Sequence, residues 1–495
     1  MLPVKLRWCL WAAALLGALA LASPARAQQV PYDDLIWGFC QVCSGQWPLS
    51  DEELRTIVAD LKINTIRLFV PPQWIGIPQK TWAGPESIDY TKFAPEQLVW
   101  RRDTPQIDSL DEVLDQLYRL NIHPVLMVWP VDEYVNYLHK DDLTFLSNPA
   151  NVYLGQPNPL DYTGIRPVEQ VKALSVAVAR HVHEKYGDDF TIIYTEICGS
   201  GKEGTSLRGA EQAKWREVIA AVKAAAPGCQ VYSPELCISM WWWPTALKYG
   251  GQVVGKEVVY GDDWPRGDRI ENYAEAFDAL AISYIENDRS EWLKWAPSLP
   301  HVRAAADVVT GIVRDHCQPQ KWLWAEAPWA RHDDLTTFHE SWAMLFLGAD
   351  HCRGMLSWQL KDAEGSPAGA LLADGSRAPT YPLLQAFAAV AARNARFLGS
   401  YHERLNADGF PVADDQFVET DPWVLTRHLE RDVVLFNAGP VRTGVTFSHT
   451  SNMTLQLVTP EAWPNKVTVT KVGDRVKLEG LLPQRLYLFQ VVPAQ

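Results

Sequence analysis

The chain has 495 residues, a formal net charge of −14, 22 tryptophans and eight cysteines. This length exceeds that of one usual domain, so we expect one large domain and at least one smaller one. The acidic balance disfavours nucleic acid and anionic membranes as partners, whereas flat tryptophan faces are compatible with a carbohydrate.

The first 27 residues have the form of a secretory signal. Lys5 and Arg7 precede an apolar run from Cys9 to Ala22, and Ala25-Arg26-Ala27 has the pattern of a cleavage site. The run is too short and wrongly flanked for a membrane span, and no other window approaches the ~18 consecutive apolar residues of a span. We therefore expect an exported protein, periplasmic or extracellular, without a membrane span.

From residue 35 to about 394, short apolar runs alternate with amphipathic stretches. Ser50 and Glu53 have capping-box spacing ahead of one such stretch, and Ser109 and Glu112 repeat it. The alternation predicts eight parallel strands, each followed by a helix, which is typical of a (β/α)8 TIM barrel of the α/β class. The predicted strands are 35–40, 64–71, 123–130, the run closed by Glu196, 230–236, 280–286, the run closed by Glu326, and 354–360.

From about residue 401 the pattern changes to short alternating runs without helices, separated by turn residues at intervals of about ten. This predicts a small all-β sandwich over 401–495, after a barrel domain over 28–400. Its strands show no exposed aromatic row, so bracing the barrel is favoured over binding sugar. The predicted strands are 423–429, 433–437, 444–449, 453–459, 466–472, 475–481 and 485–492.

Two glutamates, Glu196 and Glu326, each close an apolar run predicted to be a buried strand. Residues at the carboxyl ends of barrel strands line the active site, because all eight strand-to-helix loops open on that face. Two carboxylates that flank one bond can act as a proton donor and as a nucleophile or base. The alternatives are that Glu196 caps the glycine-rich turn after it, or that Glu235 or Glu286, which also follow strands, takes one of these places.

Glu196 and Glu326 end the fourth and seventh predicted strands, and Arg67, Tyr284 and Trp358 lie on the second, sixth and eighth. With this set the chain resembles the clan A glycoside hydrolases, the retaining "4/7" barrels. The segment from Gly369 to Phe387 is similar to the loop and final helix common in that clan. The appended sandwich is also similar to that of several members.

The resemblance implies a role for each of these residues. Glu196 would be the acid/base and Glu326 the nucleophile, with the two carboxyl groups about 5–5.5 Å apart. Tyr284 would donate a hydrogen bond to Glu326, and Arg67 would hold that carboxylate ionised by lowering its pKa. Trp358 would form the floor under the bound sugar.

Two positions depart from the pattern of the clan. Thr195 stands where many members have asparagine before the acid/base, although some members carry Thr-Glu. Trp129 or a neighbour replaces a common histidine at the end of the third strand. Tyr194 and a partly apolar rim are expected to keep Glu196 protonated to higher pH.

Other side chains after the strands can contact substrate or can simply cover the loops. Trp241, with the two tryptophans that follow it, and Trp329 have flat faces that stack on sugar rings. Trp129 is a similar case. His332 and the pair Asp262-Asp263 are either polar residues of the rim or parts of solvated loops.

No spacing of cysteine and histidine indicates a zinc site, and no cofactor or metal is expected. Seven cysteines remain after removal of the signal, so at least one is unpaired. Strand adjacency suggests two pairs within disulfide reach, Cys317 with Cys352 and Cys198 with Cys237.

These observations predict an exported retaining glycoside hydrolase that cleaves a β-linked oligo- or polysaccharide by double displacement. Thr195 and the missing histidine motivate an alternative, a catalytically inactive glycan-binding or exopolysaccharide-assembly protein on the same barrel. A metal-dependent hydrolase is disfavoured because no histidine pair or His-Asp cluster is seen to end the strands. The sugar, the linkage, the position of cleavage and the oligomeric state stay open.

Overall fold

The structure is a computed structural model, and it describes the chain from residue 35 to residue 494 with gaps. The predicted signal segment and several strand-to-helix loops lie outside the described residues. The described ranges are 35–41, 46–76, 98–128 without 103, 165–194, 209–237 without 235, 252–254, 257–259, 277–283, 321–327, 332, 335–347, 352–362, 368–398, 418–420, 424–429, 432–437, 439–447, 452–459 and 467–494.

Within the described residues from 35 to 398, strands and helices alternate as predicted as far as residue 234 and again from residue 321. The strands are β1 (Ile36–Gln41), β2 (Thr65–Phe69), β3 (His123–Met127), β4 (Thr191–Tyr194), β5 (Gln230–Pro234), β6 (Leu236–Cys237), β7 (Gln252–Val254), β8 (Glu257–Val259), β9 (Ala279–Ser283), β10 (Lys321–Ala327) and β11 (Cys352–Trp358). The helices are α1 (Asp51–Leu61), α2 (Leu110–Arg119), α3 (Ile165–Tyr186), α4 (Gly209–Ala225), α5 (Leu335–Leu347), α6 (Tyr381–Arg393) and α7 (Ala395–Leu398).

The large sheet is parallel and curled. Its strand order is β10-β11-β1-β2-β3-β4-β5-β9-β6, and β10 also pairs with β9. Parallel strands connected through helices place those helices on the outer face of such a sheet. The prediction of a parallel sheet with intervening helices is thus confirmed. The sequence alternation also predicts helices over 273–277 and 301–315, which lie at least partly outside the described residues. The hairpin of β7 and β8 was not predicted.

Two hydrophobic cores follow from the alternation of side chains along the strands. The inner core contains residues such as Val125, Met127 and Leu356, which face the inside of the curled sheet. The outer core joins the opposite strand faces, including Ile66 and Leu126, to the helices. The carboxyl ends of the strands therefore surround the inner core at one edge.

The two predicted capping boxes have different outcomes. At α1 the hydroxyl of Ser50 accepts from the backbone of Glu53, whose carboxylate accepts from the Ser50 backbone at 2.8 Å, so this box is confirmed. At α2 the prediction of a box is wrong, because Ser109 makes no capping hydrogen bond to the helix backbone. The hydroxyl of Ser109 instead donates to the Glu112 carboxylate at 2.7 Å, so serine and glutamate pair with each other.

The last part of the chain forms two four-stranded antiparallel sheets with the orders β12-β15-β18-β17 and β13-β14-β19-β16. The seven predicted strands are all present within two residues of their bounds, and the short β12 was not predicted. The predicted boundary near residue 400 stays a prediction, since residues 399–417 lie outside the described part of the chain. The strands are β12 (Val418–Thr420), β13 (Val424–His428), β14 (Asp432–Asn437), β15 (Thr443–Phe447), β16 (Met453–Leu457), β17 (Thr468–Val472), β18 (Arg475–Leu481) and β19 (Arg485–Pro493).

The sandwich packs against α5 and α6 with both apolar and polar contacts. Val434 and Leu486 belong to the same hydrophobic cluster as Trp342 of α5. Asp432 is fully buried and accepts hydrogen bonds from the Arg393 guanidinium at 2.6 and 2.7 Å. The described contacts therefore join the sandwich firmly to the helical layer.

No helix in the described part of the chain is long and apolar enough to cross a membrane. Of the described cysteines, Cys40 and Cys229 are both buried. Cys198 and Cys317 lie outside the described residues, so the two proposed disulfide pairs stay predictions.

Candidate active site

The described part of the site lies at the carboxyl ends of neighbouring parallel strands. Arg67 of β2 pairs in register with Cys40 of β1, and Cys40 pairs with Trp358 of β11. On its other side Arg67 pairs with Val125 of β3. Because the strands are parallel, Arg67 and Trp358 lie at the same level near one edge of the curled sheet.

Arg67 is fully buried inside this sheet. Its guanidinium donates to the sulfur of Cys40 and to the sulfur of Met127, each at 3.7 Å, and it lies 4.6 Å from the centre of the Phe69 ring. Sulfur atoms and an aromatic face are soft, weak partners for a cation. A buried guanidinium is favourable when an anion compensates its charge, so this site is suited to a carboxylate.

Trp358 is the last residue of β11, and its side chain is buried in the inner core. Its ring meets that of Phe69 edge to face, with 5.5 Å between centres. The peptide bond that joins Trp358 to Gln359 is cis. Arg67, Phe69 and Trp358 thus form one continuous cluster at the mouth of the curled sheet.

Glu326 is the penultimate residue of β10, as the sequence predicts for a strand-end acid. Its backbone is in register with Ser283 of β9, while Ala327 is in register with Ser357 of β11. Tyr284 and Trp358 are the residues that directly follow these two serines. The register therefore brings the chain positions of Glu326, Ser283 and Trp358 to one edge.

Six predicted site residues lie outside the described part of the chain. Each comes within a few residues of the end of a parallel strand: β3 ends at Met127, β4 at Tyr194 and β9 at Ser283. Their roles stay predictions. These residues are Trp129, Thr195, Glu196, Trp241, Tyr284 and Trp329.

The expectation that Tyr194 flanks Glu196 at the mouth is wrong. The Tyr194 ring is buried in the outer core, and its hydroxyl lies 3.2 Å from that of Ser175 on α3. Ile193, the preceding residue, occupies the inner core instead. Alternation along β4 therefore turns Tyr194 away from the mouth.

A histidine–aspartate pair lies beyond the same edge. His332 follows β10 and its Nε2 is 2.9 Å from Oδ2 of Asp362, which follows β11. The His332 side chain is 18% exposed, so the solvated-loop alternative is wrong for this residue. Asp362 was missed from the sequence, where its one signal is that it follows Lys361 directly after the apolar run of β11.

Several other neighbours of the site were also missed. Cys40 and Met127 look like ordinary strand residues in the sequence, because their contacts with Arg67 depend on register between strands. Phe69 lies two residues after Arg67 on β2, so the alternation of side chains along a strand already places the two on one face. In the described part of the chain, no group of three or more His, Cys, Asp or Glu side chains has the arrangement of a metal site.

No protein-family model and no curated protein matches the sequence. Solved structures are similar in fold. A family 39 glycoside hydrolase from the gut symbiont Bacteroides cellulosilyticus WH2 has a TM-score of 0.50 at 11% identity, over 94% of this chain and 82% of that one. An Anoxybacillus α-amylase has a TM-score of 0.49 at 11% identity, over 94% and 99% of the two chains. A glucosidase from Croceicoccus marinus has a TM-score of 0.47 at 11% identity, over 93% and 96%.

These three structures are glycoside hydrolases, and at this identity the likeness to the family 39 enzyme is one of fold alone. It agrees with the curled parallel sheet, its helices and the antiparallel sheets that follow. A shared fold does not fix the reaction, which depends on the residues of the site.

Proposed function

We propose that this protein is an exported retaining glycoside hydrolase built on a complete (β/α)8 barrel. It cleaves a β-linked glycan by double displacement, with Glu326 as nucleophile and Glu196 as acid/base. The additional pairing of β10 with β9 supports the complete barrel. It joins the first strand of the sheet order to a strand near its other end, as a closed ring of strands requires. The family 39 glycoside hydrolase is an example of an enzyme of the proposed class on a similar fold.

One observation carries the proposal. A fully buried guanidinium, that of Arg67, lies at the same edge as the chain position of Glu326. Such a cation favours the ionised form of a carboxylate beside it, and a nucleophilic carboxylate must be ionised to attack. Glu196, two residues after the end of β4, is then the acid that protonates the leaving oxygen.

The substrate-contacting surface is proposed to be aromatic and polar. Trp358 and Phe69 supply flat rings at the mouth, and Trp129, Trp241 and Trp329 extend this surface on the loops. Thr195 and Tyr284 contribute hydroxyl groups, with Tyr284 donating to the nucleophile. Neutral hydroxyl donors next to a carboxylate pair suit a carbohydrate rather than a charged polymer.

The test is hydrolysis of a panel of β-linked glycans by the mature chain and by variants of the two acids. Glu196→Gln and Glu326→Gln are each expected to lower kcat by about 100-fold or more, because general acid–base catalysis alone contributes roughly 10²–10⁴-fold. The anomeric configuration of the first product, followed by proton NMR, is expected to be retained.

Glu235→Gln and Glu286→Gln are the matched controls, because these acids also lie at the ends of predicted strands. They are expected to keep the wild-type rate. Full activity in Glu326→Gln, or an inverted product, contradicts the proposed mechanism. Binding of a glycan without any turnover across the panel favours the inactive glycan-binding or exopolysaccharide-assembly alternative.

A further inference from the structure

The pair His332 and Asp362 lies on the side of the mouth formed by β10 and β11. Asp362 is four residues past the end of β11, and His332 is five residues past the end of β10. These two strands pair in parallel, so the segments that follow them leave from one edge. That edge also carries the chain positions of Glu326 and Trp358. In sheets of this kind, ligands bind beyond the carboxyl ends of the strands.

The Asp362 carboxylate is fixed by its surroundings. One oxygen accepts the backbone N–H of Gly369 at 2.6 Å, and the other lies 2.9 Å from Nε2 of His332. The backbone N–H of Asp362 donates to the carbonyl of Leu371 at 2.9 Å. The carboxylate is 12% exposed, so it is held mainly by protein contacts.

This arrangement sets the orientation of the imidazole. A carboxylate that accepts from Nε2 keeps the proton on that nitrogen, so in the neutral ring Nδ1 is an acceptor. Among the described residues, no hydrogen bond is made to Nδ1 of His332. The partly exposed ring therefore offers an oriented acceptor close to the proposed cleft.

Among the described residues, the charged neighbour Lys361 is engaged away from this imidazole. Lys361, the residue before Asp362, donates to the carbonyl of Pro48 and to the carboxylate of Glu53, each at 3.0 Å. Its ammonium is thus engaged on the side of α1. The Asp362 carboxylate is the charged partner that faces His332.

We infer that His332, oriented by Asp362, binds a hydroxyl group of the sugar on the β10–β11 side of the cleft. His332 contacts the substrate, and Asp362 is a positioning residue that acts through it. This inference rests on the proposed function and adds a specificity contact to that site. A sugar that lacks this hydroxyl leaves the imidazole acceptor unpaired and is discriminated against.

The test separates binding from chemistry. His332→Ala is expected to raise KM about tenfold with little change in kcat, since one hydrogen bond that is equally strong in ground and transition states contributes about this factor. His332→Gln keeps a side-chain amide and is expected to recover part of the wild-type KM.

Asp362→Asn tests the positioning role. The amide would donate to Nε2 and move the ring proton to Nδ1, which removes the acceptor, so KM is expected to rise as in His332→Ala. The double variant is expected to be no worse than His332→Ala alone, because Asp362 acts through the imidazole. Additive increases in KM overturn the positioning role.

A second histidine–aspartate pair provides the matched control. Nδ1 of His183 lies 2.6 Å from Asp188, next to the carboxyl end of α3 and thus at the opposite edge of the sheet from the site. His183→Ala is expected to leave KM unchanged. Melting temperatures of all variants show whether a change in KM reflects unfolding, and His332→Gln replaces His332→Ala if the latter does not fold.

The outcomes distinguish this inference from the proposed function. Hydrolysis with an unchanged KM in His332→Ala overturns the inference and leaves the proposed function intact. If the wild type hydrolyses no glycan of the panel, the proposed function fails, and affinity for the same glycans is measured by calorimetry. Unchanged affinity in His332→Ala then overturns the inference as well, whereas weakened affinity supports it.

Discussion

Arg67 illustrates how one residue links the core to the proposed chemistry. Its guanidinium occupies the inner core with two sulfur atoms and the Phe69 ring as neighbours. An apolar residue of similar volume would fill this space at lower cost in desolvation. The charge of Arg67, which favours the ionised form of a carboxylate beside it, is the property that the proposed site uses.

His339 of α5 is a second buried residue whose charge state has a consequence. Its Nδ1 accepts the backbone N–H of Leu486 at 3.1 Å, which ties α5 to β19. Burial, together with the nearby positive charge of Arg485, lowers the pKa of His339 to about 3. The imidazole is therefore neutral in the folded protein at all moderately acidic pH values.

We expect His339 to make the protein sensitive to acid. Between pH 6.5 and about 3, His339 is protonated in the unfolded chain but neutral in the folded protein. The free energy of unfolding therefore falls as pH falls, by about 1.4 kcal/mol per pH unit from this group. His339→Gln keeps an acceptor for Leu486 but does not titrate. Urea unfolding at pH 7 and pH 5 is expected to show a smaller pH dependence in this variant. An identical pH dependence contradicts the assignment.

At the scale of elements, the capping box of α1 is a sequence motif whose contribution to the free energy of unfolding can be measured. The Ser50–Glu53 box satisfies backbone donors at the first turn, and Glu53 also pairs with Lys361 at 3.0 Å. Partial burial acts to raise the pKa of Glu53, but the hydrogen bonds from Ser50 and Lys361 outweigh it and lower the pKa. This element thus connects α1 to the segment after β11.

Ser50→Ala is expected to lower the free energy of unfolding by about 1 kcal/mol, because the amide of Glu53 loses its acceptor. Ser50→Thr keeps the hydroxyl and is the control, with a smaller effect expected. Because the folded-state pKa of Glu53 lies below its usual value, the stabilisation from its carboxylate is present at neutral pH and decreases as pH falls through that lowered pKa. Chemical denaturation at pH 7 measures the difference. Equal stabilities of Ser50→Ala and the wild type contradict the role of this cap.

The two capping boxes also show what the sequence predicts and what it does not. The alternation in the sequence predicts a helix over 335–347, which are the bounds of α5, and most parallel strands begin within two residues of prediction, because hydrophobic periodicity is a local property. Ser109 has the same spacing as Ser50 but is buried and binds Glu112, so its surroundings decide its partner. Asp362 and His332 are far apart in the sequence, so their contact was not predictable from local spacing. Phe69 and Arg67 are two residues apart on β2, and this spacing does place both side chains on one face.

At the scale of the whole molecule, the sandwich and the helices α5 and α6 share a polar contact as well as a hydrophobic cluster. Asp432 is the first residue of β14 and is fully buried. It accepts two hydrogen bonds from Arg393 and one, at 2.7 Å, from the amide of Asn394. The Arg427 guanidinium donates to the carbonyl of Phe346 at 2.9 Å. These contacts support the prediction that the sandwich braces the helical layer.

Asp432→Asn is expected to lower the free energy of unfolding by about 3 kcal/mol. The change removes the negative charge that compensates Arg393. It also places an amide N–H group opposite the donors of Arg393 and Asn394. Because Arg393 is partly exposed, water offsets some of this loss. Glu479→Gln is the matched control, because its pair with Lys477 is exposed and is expected to contribute less than about 1 kcal/mol.

If the sandwich stabilises the barrel, equilibrium unfolding of the whole chain should show it. If the sandwich stabilises the barrel through Asp432, the variant is expected to unfold in one transition at lower denaturant, with far-UV circular dichroism and tryptophan fluorescence changing together. Trp342 reports on the shared cluster from the side of α5. Two separate transitions, with only the first shifted by Asp432→Asn, would mean that the sandwich unfolds alone and that the helical layer stands without it. A single shifted transition makes the sandwich part of the scaffold that holds the strand ends, and with them the proposed site, in place.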